Sequence, residues 1–165
     1  MRVTVLGNNS ALPAFGRHPT AQVVSIYGEL LLLDCGEGTQ IQMQRFGFRW
    51  RNLHYIFISH MHGDHYFGLP GLVNSMSLLG RVAPLHLYAP ASLMPLLQQI
   101  LDLANTKLSY TLHFYPLPEA DGILVDNDIF SVSCFPLIHS VPCHGFFIAE
   151  KTKGRKLLPE KCREY

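Results

Sequence analysis

Residues 59 to 65 read Ser59-His60-Met61-His62-Gly63-Asp64-His65. Three imidazoles and a carboxylate fall within six residues, directly after Tyr55 to Ile58, an apolar run with the length and residue types of a short strand. His60 and His62, two apart, can converge on one ion if the chain turns as the strand ends. Asp64 and His65 then point toward a second position a few Å away. Imidazole nitrogen and carboxylate oxygen suit zinc, with manganese or iron as alternatives. Gly63 fits a sharp bend between the two ligand pairs. A surface loop that merely contains a histidine would not concentrate four such groups at this spacing.

Working outward, Arg2 to Leu6 reads as a strand that ends at Gly7-Asn8-Asn9, and a loop follows, punctuated by Pro13, Gly16 and Pro19. Gln22 to Tyr27 and Leu30 to Leu33 flank Gly28-Glu29 and predict a hairpin. Helices are expected over Thr39 to Phe46, over Leu69 to Leu79 with Gly80 as a C-terminal cap, and over Ser92 to Leu103. Leu85 to Tyr88 is a strand. From Tyr110 to Glu150 the pattern is strands and turns: Leu112–Tyr115, Ile123–Val125, Ile129–Phe135 and Phe146–Ala149. The class is α/β, with strand-rich stretches rather than strict alternation.

The chain has 165 residues, 48% of them hydrophobic and 15% charged, which is enough apolar material for a core and excludes global disorder. No uninterrupted apolar run exceeds the four residues of Leu30 to Leu33, so no segment could cross a membrane as a helix. Met1 to Val5 is followed by no secretory apolar region, which makes the cytoplasm the expected location. The cysteines at 35, 134, 143 and 162 form no CxxC pair and read as free thiols. The net charge of +1 hides an asymmetry. Residues 1–150 carry 7 basic against 10 acidic groups, whereas residues 151–165 carry 6 against 2. Such a tail, with Lys153, Arg155 and Lys156, could contact phosphates or be a solvated terminus.

The motif His60-x-His62-x-Asp64-His65 after a strand resembles the signature of the metallo-β-lactamase superfamily. Three further stretches resemble ribonuclease Z (tRNase Z) within it: Leu6-Gly7-x-x-Ser10-Ala11-x-Pro13, Leu32-Leu33-Asp34-Cys35-Gly36-Glu37-Gly38-Thr39-Gln40, and His62-Gly63-Asp64-His65-Tyr66-Phe67-Gly68-Leu69-Pro70-Gly71-Leu72. The resemblance implies an αββα sandwich, of which this chain corresponds to the N-terminal portion. It divides the chain into residues 1–150, part of the sandwich, and residues 151–165, where a tRNA-binding arm begins. It also implies a zinc-dependent phosphodiesterase that removes 3′ trailers from precursor tRNA and leaves a 3′-hydroxyl, works as a homodimer and holds two ions per complete site. His139, in Leu137-Ile138-His139-Ser140, would join His60 and His62 at the first ion. Asp64 and His65 would serve the second, with Asp64 also handling the proton of the attacking water. Asp34, leaving an apolar strand, would orient the histidine loop or start an Asx turn. Glu37 could cap the following helix.

Two departures accompany the resemblance. That family completes its second metal position from its second half, but beyond His139 this chain has no aspartate and only one more histidine, His144. The chain alone is therefore expected to be inactive as a nuclease. The loop that carries a lysine in that branch has Phe15 here, ahead of Arg17, which could still hold a phosphate. Two alternatives follow: another superfamily hydrolase acting on small phosphodiesters or esters, and a metal-binding half-domain without catalysis. His144 is read as structural. The remaining histidines, His18, His54, His86 and His113, are isolated in sequence and read as surface or packing residues.

Overall fold

The computed structural model describes residues 1 to 12 and 14 to 151. Of the basic tail only Lys151 is described; Lys153, Arg155 and Lys156 lie outside the described residues.

Strand β1 (Arg2–Gly7) pairs antiparallel with β2 (Ala21–Ile26), which pairs antiparallel with β3 (Glu29–Leu33). The hairpin between β2 and β3 turns on Tyr27 and Gly28, both at positive φ (47° and 93°), the twist that matches a two-residue connection. From β3 to β6 the chain alternates strand and α-helix, more regularly than the sequence pattern suggests. Helix α1 (Thr39–Arg45) leads to β4 (Leu53–Phe57), α2 (Leu69–Leu78) to β5 (Leu85–Ala89), and α3 (Leu93–Leu103) to β6 (Leu112–Pro116). Strands β3 to β6 are all parallel, and the six-stranded sheet runs β1-β2-β3-β4-β5-β6. A separate antiparallel sheet contains β7 (Gly122–Asp126), β8 (Phe130–Leu137) and β9 (Cys143–Glu150).

The four-leucine run explains how these layers stack. Successive strand side chains face opposite ways, so Leu30 and Leu32 enter a core with Met43, Leu72, Met76 and Leu97 from the helices. Leu31 enters a second core with Phe57 and Tyr88, closed by Val125, Phe130 and Val132 of the smaller sheet. A strand covered on both faces has no polar positions to alternate, hence its continuous apolar sequence. The outcome is a layer of helices, a six-stranded sheet and a three-stranded sheet: the metallo-β-lactamase-like sandwich, with no helix covering the outer face of the small sheet among the described residues.

Helix α2 ends where glycine permits. Gly80 sits at φ 76°, and the amides of Gly80 and Arg81 bond back to the carbonyls of Ser77 and Met76. Two histidines called isolated in sequence are not isolated in space. The parallel register sets Tyr55, His86 and His113 side by side on β4, β5 and β6, with ring centroids 5.3 and 5.1 Å apart. Sequence separation hides such neighbours because each crossover inserts a whole helix between them. Cys35, Cys134 and Cys143 are free thiols. No described helix is long and apolar enough to cross a membrane.

The two-core arrangement makes a specific demand on β3. Leu31→Ala and Leu32→Ala, one on each face, should each cost about 2–5 kcal/mol in chemical denaturation, whereas Leu78→Ala, at an exposed site, should cost less than about 0.5 kcal/mol.

Candidate metal centre

The centre forms at the carboxyl ends of two adjacent parallel strands, the end at which open α/β sheets place their ligands. As β3 ends, Asp34 adopts a left-handed backbone (φ 57°) and its amide bonds to the Phe57 carbonyl of β4 (2.8 Å). Its buried carboxylate then reaches across to the histidine loop. Oδ1 accepts the Ser59 amide at 2.8 Å, and Oδ2 accepts the Ser59 hydroxyl at 3.1 Å and His65 Nδ1 at 2.8 Å. The carboxylate is wholly engaged there. The Gly36 amide bonds instead to the Thr20 carbonyl, so the Asx turn is not formed. Glu37 does not cap α1 either, since Gly38 occupies the N-cap position and no side chain caps it.

The loop is clamped from beneath by backbone. The Cys35 amide bonds to the His65 carbonyl (2.7 Å), and the Gly68 amide to the Cys35 carbonyl (2.9 Å). This approach needs bare glycines. A Cβ on Gly68 would lie 2.1 Å from the Gly36 carbonyl oxygen, and one on Gly36 would lie 2.4 Å from that of Asp64. The small sheet joins through its own backbone: the His144 amide bonds to the Ser59 carbonyl at 3.1 Å.

His60, His62 and His139 converge. His60 Nε2 lies 3.1 Å from His62 Nδ1, and His139 Nε2 lies 3.2 Å from the same atom. The three can hold a metal ion. Tetrahedral zinc with nitrogen ligands at about 2.0–2.1 Å requires those nitrogens to be roughly 3.3 Å apart. The two spacings at His62 approach that edge length, and all three donor atoms lie within 4.8 Å of one another, so the donor set suits a divalent cation. Beside them His65 Nε2 lies 3.6 Å from Asp64 Oδ2, while its other nitrogen is held by Asp34. These five residues line one cavity of about 350 Å³ together with Leu137, Ile138 and Cys143.

The electrostatics keep the central ring uncharged. Burial above all, then the neighbouring His65, pulls the His60 pKa down to about 4, with His62 and His139 adding to the fall and Asp34 opposing it. A neutral imidazole is what a metal ligand must be. At His65 burial also acts downward, but the hydrogen bond and charge of Asp34, aided by Asp64, outweigh it and raise the pKa.

Other candidates lie elsewhere. Arg17 lines a separate cavity of about 370 Å³ with His18, Pro19 and Glu37. His144 donates Nε2–H to the Pro118 carbonyl (2.8 Å) and does not line the histidine cavity. Sequence reasoning gave no role to Ser59, Gly36, Gly68 or Cys143. Ser59 and the glycines lay inside the quoted motifs, where their close contacts were the missing signal; Cys143 carried none.

A helix-backed mixed sheet packed on an antiparallel sheet, with this histidine loop at the strand ends, defines a metallo-β-lactamase fold protein. The crystal structure of the short form of human tRNase Z matches with a TM-score of 0.81 and 34% identity, over 90% of this chain and 64% of that one. A metallo-β-lactamase fold protein of Bacillus subtilis matches with a TM-score of 0.69 over 89% of this chain and 57% of that one, a likeness of fold alone at 22% identity. Among curated proteins, ribonuclease Z of Parabacteroides distasonis is 38% identical over 159 residues, 96% of this chain and 52% of that protein. Ribonuclease Z of Lactobacillus johnsonii is 39% identical over 168 residues, 100% of this chain and 54% of that protein. The chain thus spans about half the length of the curated relatives it matches. It belongs to the family described as Anti-Pycsar protein Apyc1, whose model matches residues 1–152.

The glycine clamp can be checked directly. Gly68→Ala should lower stability in chemical denaturation by about 1–3 kcal/mol through overpacking. Gly71→Ala, whose added carbon would meet only the flexible end of Gln40, should change it by less than about 1 kcal/mol.

Proposed function

We propose that this chain carries the first metal position, and part of the second, of a metal-dependent phosphodiesterase that removes 3′ trailers from precursor tRNA and leaves a 3′-hydroxyl. The observation that carries the reading is the meeting of three imidazole nitrogens from two different sheets at 3.1 and 3.2 Å. Similarity to ribonuclease Z supports the substrate class. His60, His62 and His139 would hold one zinc ion, and Asp64 with His65 would contribute to a second. Divalent cations there supply positive charge against the phosphate oxygens and acidify a water toward neutrality. Asp34 orients His65 so that Nε2 faces the cavity. Asp64, beside it, takes the proton released by the attacking water. Manganese or iron would suit the same donors.

The second position draws only Asp64 and His65 from this chain, because no aspartate follows His139 and His144 is bonded to Pro118. The chain alone is therefore inactive in this reading. Resemblance to ribonuclease Z further supports a homodimer in the cytoplasm, a first domain over residues 1–150, and phosphate contacts by Arg17 and by Lys153, Arg155 and Lys156 of the tail. A second reading, hydrolysis of small phosphodiesters or esters, is favoured by Phe15. This residue is fully exposed on the loop before Arg17 and brings no charge to an RNA end.

Three measurements test these readings. The purified chain should retain one tightly held zinc per molecule after dialysis, and His62→Ala or His139→Ala should release it; an unchanged metal content in both variants would remove the centre. Residues 1–150 joined to the second half of the Parabacteroides distasonis enzyme should cut trailer-bearing tRNA, and the chain alone should not. Cleavage of cyclic nucleotides or aryl esters in place of tRNA would favour the second reading, and metal without turnover a non-catalytic half-domain. Neutralising Lys153, Arg155 and Lys156 together should flatten the salt dependence of tRNA binding by about 3 in the log–log slope. An unchanged slope would make the tail a bystander.

A further inference from the structure

We infer that Ser59 is a positioning residue that holds His60 as its Nδ1–H tautomer, leaving Nε2 bare toward His62 and His139. The protons available at this cluster decide the tautomer. A carboxylate only accepts, so both groups at Asp34 Oδ2 must donate to it: the Ser59 hydroxyl at 3.1 Å and His65 Nδ1–H at 2.8 Å. A hydroxyl has one proton, and Ser59 gives it to Asp34. His60 Nδ1 lies 2.9 Å from the same hydroxyl oxygen. With the hydroxyl proton already engaged, that contact is a hydrogen bond only if His60 Nδ1 carries the hydrogen and Oγ accepts it. The reverse arrangement would bring the lone pairs of Oγ and Oδ2 face to face at 3.1 Å in a buried site. The Cys143 sulfur, at 3.6 Å from His60 Nδ1, is a more distant and weaker acceptor.

A single ionised carboxylate thereby governs two rings. It sets His65 directly and His60 through one hydroxyl. In a neutral imidazole a proton fixed on Nδ1 excludes one on Nε2, the nitrogen that meets His62 Nδ1. Ser59 is itself pinned, because its amide bonds to Asp34 Oδ1 at 2.8 Å and its carbonyl accepts the His144 amide at 3.1 Å. The Ser59 backbone is thus fixed beside the carboxylate that its hydroxyl bonds.

The functional consequence rests on the metal-centre reading, but the tautomer does not, and the experiment separates the two. Long-range proton–nitrogen correlation spectra of the metal-free, isotope-labelled chain report which ring nitrogen of each histidine bears hydrogen; comparison with His60→Gln assigns the His60 signals. The parent should show His60 protonated on Nδ1. Ser59→Ala should mix the tautomers or invert them and weaken zinc binding, measured by chelator competition, about 10- to 100-fold. Ser59→Thr, which keeps the hydroxyl, should restore both. A parent His60 protonated on Nε2 overturns the inference even if Ser59→Ala does not fold, and so does a folded Ser59→Ala with unchanged tautomer and zinc affinity. A parent that binds no zinc while His60 is protonated on Nδ1 would overturn the metal centre and leave the role of Ser59 standing.

Discussion

One buried carboxylate ties the centre together. Asp34 closes β3, crosses to the loop that follows β4 and engages three donors there. Without those donors a buried charge would cost several kcal/mol, and the left-handed backbone at Asp34 costs about 1–2 kcal/mol more. The arrangement persists because the neighbouring parallel strand delivers Ser59 and His65 to it. The parallel pairing of β3 with β4 is therefore the constraint from which the site follows. A shift of one residue in that register would turn the donors away from the carboxylate.

The packing supports the same geometry from both sides. Leucines of β3 anchor alternately among the helices and against the small sheet. Neither face can slide without opening a core. Beneath the loop, contacts at Gly36 and Gly68 leave no space for a side chain. The imidazoles consequently stand on a rigid base, as a preorganised set of ligands requires.

Much of this could be read from the residues, and the gaps have physical causes. Among the described residues the strands and α-helices were legible in outline, because hydrophobic runs and glycine stops mark them, but the short 3-10 turns at Trp50–Asn52 and Gly63–His65 were not. Ends differed by one to three residues: the strand expected at Tyr55–Ile58 spans Leu53–Phe57, and the one expected at Phe146–Ala149 begins at Cys143. The clustering of His60, His62 and Asp64 signalled the centre. Bringing in His139, 77 residues after His62, needed resemblance to a known family, since local pattern contains no information about which loops meet. The Asp34 carboxylate was expected either to serve the histidines or to start a turn, and only the tertiary contacts decide between them. The Ser59 hydroxyl and the Gly36–Gly68 approach depend on contacts across the fold, which no period or composition reveals. The pairing of His86 with His113 was hidden by the helix between their strands.

His60 and His62 leave the large sheet, whereas His139 follows β8 of the small one. A cation gripped by all three is consequently a rivet through two layers. The short backbone link from His144 to Ser59 and the shared apolar interface hold those layers without it, but occupancy adds its binding free energy to the folded state. Chelation would then loosen the seam between the sheets before it disturbs either one, and thermal resistance of this protein would rise with the concentration of free metal.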